Sequence, residues 1–244
     1  MISVKSPHEY IFIPLDTPDL EWAIEITKEL KGLIGGVKIG KEFFTALGPV
    51  GVARIKELGV PMFIDLKFHD IPNTVAGAVR SAIHLTPAIL NVHAQGGRSM
   101  LMAARDAAAE ESNKIGTSAP LVLGVTVLTS IDNQDLKETG INDTALEQVK
   151  RLAILCQEAG LDGVVCSASE IDALRIICDR NFKLLTPGIR PIWATKDDQK
   201  RIVTPGEAIK RGADYLVIGR PIYDANDPVS AAKRIISEID EVIN

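Results

Sequence analysis

Eight short β-rich runs that alternate with eight longer amphipathic stretches predict a single closed (β/α)8 barrel, the TIM barrel, over residues 1–244. Three observations carry the expectation. The alternation runs from end to end, which calls for a parallel sheet with helical crossovers. Eight such units fit a chain of 244 residues, close to the roughly 250 of a typical barrel. The hydrophobic content, 46%, is enough for a large buried core. The competing reading, a doubly wound open sheet, would carry a G-x-G-x-x-G turn after its first strand, and none follows here.

Taken in order, the first strand, Ile11–Asp16, ends in Pro14-Leu15-Asp16 and leads to an amphipathic helix over Leu20–Leu30. The second, Gly36–Gly40, carries Lys38 and precedes a helix at Val50–Leu58. The third, Met62–Lys67, has a β-prone apolar run in Met62, Phe63, Ile64 and Leu66. Pro72 suits the first turn of the helix that follows, Thr74–His84. The fourth, Ile89–Ala94, ends in Asn91-Val92-His93-Ala94 and is followed by Arg98–Glu111. The fifth, Leu121–Leu128, runs into Thr129 and Ser130 ahead of a helix at Thr144–Ala159. The sixth, Gly163–Ser167, pairs with the helix Ser169–Cys178. The seventh, Lys183–Gly188, ends in Thr186-Pro187-Gly188-Ile189-Arg190. An irregular stretch, Ile189–Val203, separates it from the helix Pro205–Arg211. A loop of that length in a compact domain is usually functional or disordered, and after strand seven it is placed to close over a ligand. The eighth, Tyr215–Gly219, gives way to Arg220, a short turn opened by Pro221, and the last helix, Pro228–Ile243.

Active sites of such barrels lie at the C-terminal ends of the strands, and charges fall at five of these eight ends. The densest cluster is Asp65-Leu66-Lys67-Phe68-His69-Asp70. On an extended strand Asp65 and Lys67 share a face about 7 Å apart. Two carboxylates and an ammonium on an apolar strand are costly unless they pair or do chemistry. A plain ion pair at a strand end is the structural alternative. Gly219-Arg220 reads as a phosphate site: glycine lets N–H groups approach an anion, a helix start adds favourable dipole, and the guanidinium can grip oxygens in a fork. Barrels often bind phosphate after strands seven and eight. The alternative is a surface arginine at a turn.

A net charge of −5 argues against a nucleic-acid partner. Cys156, Cys166 and Cys178, odd in number and without C-x-x-C spacing, read as reduced, buried thiols of a cytoplasmic protein. The N-terminal residues lack a signal peptide's apolar core, and no run is long enough to span a membrane. No two histidines have metal-ligand spacing. His8 and His84 read as exposed, while His69 and His93 are expected to orient neighbours. Trp22 reads as helix packing and Trp193 as a loop aromatic.

These motifs, in this order over essentially the whole chain, make it similar to the orotidine 5′-phosphate decarboxylase family. The resemblance rests on Pro14-Leu15-Asp16, Val37-Lys38-Ile39-Gly40, Asp65 to Thr74, Asn91 to Ala94, Val125 to Ser130, Thr186 to Pro191, Asp198-Gln199 and Ile218-Gly219-Arg220. It implies a monofunctional enzyme that converts orotidine 5′-phosphate to UMP and CO2, with no metal and no organic cofactor. It further implies a homodimer with shared active sites. Lys67 would protonate C6, and Asp65 would sit beside the departing carboxylate. Asp70 and Thr74 would reach the neighbouring subunit's site, Asp70 completing a Lys38–Asp65–Lys67–Asp70 charge array. Asp16 and Lys38 would bind ribose hydroxyls, and Thr129 and Ser130 the pyrimidine. Arg190, Gln199, Gly219 and Arg220 would hold the phosphate. Two alternatives stand beside this. One is a related Mg²⁺-dependent barrel, a keto-sugar phosphate decarboxylase or hexulose-phosphate synthase, against which the second cation, Lys38, argues. The other is a phosphate-ligand-binding barrel without catalysis.

Overall fold

The computed structural model describes residues 5–194 and 203–243. Its strands are β1 (Ile11–Pro14), β2 (Gly36–Ile39), β3 (Met62–Phe68), β4 (Ile89–His93), β5 (Leu121–Val125), β6 (Gly163–Val165), β7 (Lys183–Pro187) and β8 (Tyr215–Val217). Its helices are α1 (Leu20–Leu30), α2 (Lys41–Lys56), α3 (Pro72–Ile83), α4 (Gly97–Ile115), α5 (Asn133–Glu138), α6 (Ala145–Glu158), α7 (Ile171–Ile177), α8 (Pro205–Arg211), α9 (Arg220–Tyr223) and α10 (Pro228–Ile243). The strands hydrogen-bond in sequence order into a closed parallel barrel, with Phe12 opposite Gly36 on one side and Ile11 opposite Leu216 on the other. Strands covered on both faces should read as continuous apolar runs. They do: Ile11, Ile13, Val37, Ile39, Ile64, Leu90, Val92, Leu123, Val164, Leu184 and Leu216 are all fully buried.

Each strand begins where the sequence places it, and seven of the eight stop one to three residues sooner. The trimmed residues are mostly apolar or glycine, and several of them, Leu15, Cys166 and Ile218 among them, still donate a backbone hydrogen bond to the neighbouring strand as the chain turns into its loop. Only β3 continues past its expected end, to Phe68. α2 departs more. The apolar periodicity identifies a helix only from Val50, but the element begins at Lys41 and is broken at Gly48, whose backbone (φ 59°, ψ −164°) is open essentially to glycine alone. Pro49 then opens the second half, where its missing N–H costs nothing. α5 was not expected; Asp132 nucleates it by accepting from the N–H groups of Gln134 and Asp135. α7 starts at Ile171 because a 3-10 turn, Ala168–Glu170, occupies the residues before it.

Packing divides the chain into two compact units, Met1–Asp65 with Thr186–Asn244, and Leu66–Leu185. In the first, α8 lies close on α10: the Gly206 N–H donates to Glu238 Oε1 (3.0 Å), and a Cβ at Gly206 would meet the Glu238 carbonyl at 2.9 Å. Trp22 packs edge-on to Tyr223, as helix packing requires, and Trp193 lies under the Arg234 guanidinium. In the second, α3 packs along α4, and exposed His84 reaches the buried Glu111 carboxylate at 3.2 Å. His8 is half-buried rather than exposed. All three cysteines are buried and none is in a disulfide. Among the described residues no helix is long and apolar enough to cross a membrane.

Candidate active site

Three of the expected site residues meet in the first unit. Lys38, on β2, places Nζ 3.0 Å from Asp16 Oδ1 and 3.3 Å from Asp65 Oδ2. Lys38 and Asp65 are each only 8% exposed, while Asp16 is open to solvent. The positions follow from register: Lys38 is opposite Pro14 of β1 and Phe63 of β3, so its side chain lies between the two strand ends that carry the carboxylates. Burying a lysine is tolerable here because two carboxylates meet it, and Asp65, as buried as the lysine, is the partner that compensates its charge away from water. Gly40 makes the arrangement possible. A Cβ on it would sit 2.9 Å from Lys38 Nζ and closer still to Asp16 Oδ1.

Two residues beyond Asp65, the backbone of β3 changes hand. Lys67 has φ 54°, one of two described non-glycine residues with a positive φ. For a residue with a Cβ this costs about 1–3 kcal/mol and persists only where the surroundings enforce it. The side-chain alternation that would put Lys67 on the face of Asp65 assumes an extended backbone, so the direction of Lys67 is set by this local twist instead. Its N–H donates to Oδ1 of Asn91 at 2.8 Å. Asn91 is fully buried on β4, between Leu90 and Val92. Past the strand, His69 stacks obliquely on His93, ring centres 5.4 Å apart. Asp70 accepts from the N–H of Ile71 at 2.7 Å. Asp70 and Thr74 are exposed, as is Ile71 between them at 67%.

Thr129 and Ser130 lie in the exposed turn after β5. Their neighbours Leu128 and Ile131 line a cleft of about 340 Å³, shared with His93, Thr126, Val127 and Leu136. Arg190 is half-buried after β7, its N–H directed at the Val203 carbonyl. Gly219 caps α9, its carbonyl accepting from Ile222 at 2.8 Å, and Arg220 is exposed at the helix start. The glycine has a packing reason as well, since a Cβ there would meet Pro14 Cγ at 2.8 Å. α9 is a single turn, so its macrodipole adds little and the guanidinium is the main attraction for an anion. Gln199 lies outside the described residues. No group of three or more His, Cys, Asp or Glu side chains able to hold a metal ion occurs among the described residues.

Asn91 and Gly40 lie within the strand-end motifs, but the sequence assigns neither a role of its own. Asn91 had a legible signal, since asparagine is depleted in strands and a buried amide must find partners. Gly40 had none, because close approach of side chains from elsewhere leaves no trace in local sequence.

The Orotidine 5′-phosphate decarboxylase / HUMPS family model matches residues 9–235. The chain is 53% identical over 230 residues to an orotidine 5′-phosphate decarboxylase of Rhodospirillum rubrum, covering 94% of this chain and 93% of that one. It is 51% identical over 233 residues to that of Moorella thermoacetica, covering 95% and 92%. Among solved structures, orotidine 5′-phosphate decarboxylase from Lactobacillus acidophilus superposes with a TM-score of 0.84 at 34% identity, covering 94% of this chain and 98% of that one. With barrel, charged strand ends and sequence in agreement over nearly the full length, the chain belongs to the orotidine 5′-phosphate decarboxylase / HUMPS family.

Proposed function

We propose that Lys67 is the general acid of this enzyme, working inside a charge array with Lys38, Asp65 and Asp70. The reaction is decarboxylation of orotidine 5′-phosphate to UMP in pyrimidine synthesis. The C6–carboxylate bond breaks, its electron pair stays on C6, CO2 departs, and the Lys67 ammonium delivers a proton to C6. The carbanion lies in the ring plane without an electron sink, so the developing charge has to be met by a fixed cation. An ammonium about 3 Å away both stabilises it and supplies the proton. The observation that supports this most is the buried Lys38–Asp65 contact followed, two residues on, by a lysine in a constrained backbone.

Asp65 would face the substrate carboxylate. Two like charges 4 Å apart repel by roughly 4 kcal/mol at an effective dielectric of 20, against the 8–23 kcal/mol by which enzymes commonly lower barriers. Lys38 beside Asp65 reduces the repulsion further, so stabilisation of the carbanion by Lys67 is the larger contribution. Asp16 and Lys38 would hold ribose hydroxyls. Thr129 and Ser130 would contact the pyrimidine, and Arg190, Gln199, Gly219 and Arg220 the phosphate. Binding energy from the remote phosphate can then organise the array and raise the rate of chemistry. The active assembly in this reading is a homodimer, in which Asp70 and Thr74 complete the neighbouring subunit's site. Their exposure, with that of Ile71, supports it. Buried cysteines outside any disulfide support a cytoplasmic enzyme.

The test is absorbance decay of orotidine 5′-phosphate with and without EDTA, for wild type and Lys67→Ala. Wild-type turnover is expected to be indifferent to EDTA. Lys67→Ala is expected to lose at least 10³-fold in kcat, a typical order for a lost acid catalyst, with UMP affinity within a few-fold of wild type. Chelator-sensitive turnover would point to the Mg²⁺-dependent members of the family, and an active Lys67→Ala would remove the lysine from its role.

A further inference from the structure

We propose that Asn91 is a positioning residue for catalysis: its amide oxygen holds the Lys67 backbone in the left-handed conformation from which the ammonium is aimed at the reacting carbon. This rests on the role of Lys67 proposed above. The structure supplies each link. Lys67 adopts φ 54° inside a strand otherwise extended, and lysine has no intrinsic preference for that region. A main-chain N–H at a strand end has to find an acceptor. Here the acceptor is the Asn91 side chain at 2.8 Å. A side-chain oxygen, unlike a strand carbonyl fixed in the ladder, leaves the Lys67 backbone room to turn while its donor stays satisfied. Asn91 is itself immobilised, fully buried on β4 where the register pairs it with Leu123 of β5. A strand packed within the closed barrel therefore carries the group that fixes the end of β3.

The orientation of a general acid is where such a restraint matters. If Lys67 relaxes toward an extended backbone, its Cα–Cβ bond swings to a new direction and the ammonium at the end of four methylenes is displaced with it. Misplacement by about 1 Å can cost 10²-fold in rate. Groups that bind the ribose and phosphate, on other strands, would be untouched. Asn91 should therefore separate kcat from binding.

The experiment compares Asn91→Leu, close in size but without an acceptor, with Asn91→Asp, which keeps an oxygen in place, by kcat, KM and UMP affinity. Asn91→Leu is expected to lose about 10²-fold in kcat with UMP affinity within about threefold. Asn91→Asp is expected to recover at least about tenfold of that loss. In a Lys67→Ala background Asn91→Leu should cause no further loss, since residues that act as one unit are non-additive. A kcat for Asn91→Leu within about threefold of wild type overturns the proposal. So does a parallel fall in UMP affinity, or an additional loss in the Lys67→Ala background, either of which would mark Asn91 as structural. Should Asn91→Leu not fold, Asn91→Ala against Asn91→Asp decides by the same readouts. Lys67→Ala alone separates the two ideas: full turnover in it sinks the lysine's role, whereas an inactive Lys67→Ala beside a fully active Asn91→Leu sinks only the positioning.

Discussion

At Gly40 the missing side chain is what counts. Its backbone (φ −89°, ψ −179°) is one that alanine adopts freely, so no conformational strain opposes a substitution. What opposes it is the Asp16–Lys38 pair, whose tips occupy the space a Cβ would need. Both tips belong to long or exposed side chains that can move, so the fold can absorb the change while the pair cannot stay where it is. Gly40→Ala is expected to lose about 1 kcal/mol of unfolding free energy, the low end of what overpacking costs, since mobile side-chain tips can yield. Its kcat/KM should fall by about tenfold or more, through displaced charges. Steady-state kinetics beside a urea melt checks both; an unchanged kcat/KM would mean that the placement of Asp16 and Lys38 is not critical. Among single residues, the charged ones were readable in sequence because an ionisable group on an apolar strand is conspicuous. Gly40 was not, since its neighbours arrive from β1 and β2.

At the scale of an element, the turn that starts α7 is held by a reciprocal cap. Ser167 N–H donates to Glu170 Oε2 at 2.8 Å, and the Ser167 side chain accepts in return. Burial pushes the Glu170 carboxyl up to about 7, against a smaller lowering by the Ser167 N–H. A carboxyl with a raised folded pKa binds more protons folded than unfolded, so stability falls as pH rises. The contribution is fully present below the unfolded value near 4.5 and is lost as pH climbs to about 7. With one pKa unit worth about 1.4 kcal/mol, the loss is of order 2–3 kcal/mol. Glu170→Gln, neutral throughout, should flatten the fall in Tm between pH 5 and 7 relative to wild type. Parallel slopes would mean that Glu170 is solvated in the folded state. Strand starts were legible at this scale because apolar runs begin abruptly, whereas strand ends were not, because apolar residues such as Leu15, Val127, Leu128 and Ile218 continue past them. The break at Gly48 hid the first half of α2, since periodicity cannot be followed across a change of axis.

For the molecule as a whole, the exposed stretch Asp70–Thr74 bears on assembly. If the partner subunit's Asp70 completes each site, Lys67→Ala and Asp70→Ala chains are both inactive alone. Co-refolded, they should regenerate activity, because one of the two sites in a heterodimer is then intact. At equal mixing, with half the dimers mixed and one good site in each, about a quarter of wild-type activity per chain is expected on symmetric two-site counting. Verified heterodimers without activity would place Asp70 outside its neighbour's site. The sequence by itself determined the closed eight-stranded barrel, the start of every strand and the identity of the charged residues at the strand ends. Those follow from periodicity and composition, which are local properties. Tertiary structure alone decided that Lys38 is shared between Asp16 and Asp65, that a side chain at Gly40 would collide with that pair, and that Asn91 fixes a left-handed Lys67. Each of these depends on atoms from strands far apart in sequence meeting within a few ångströms, which only the register of the closed sheet sets.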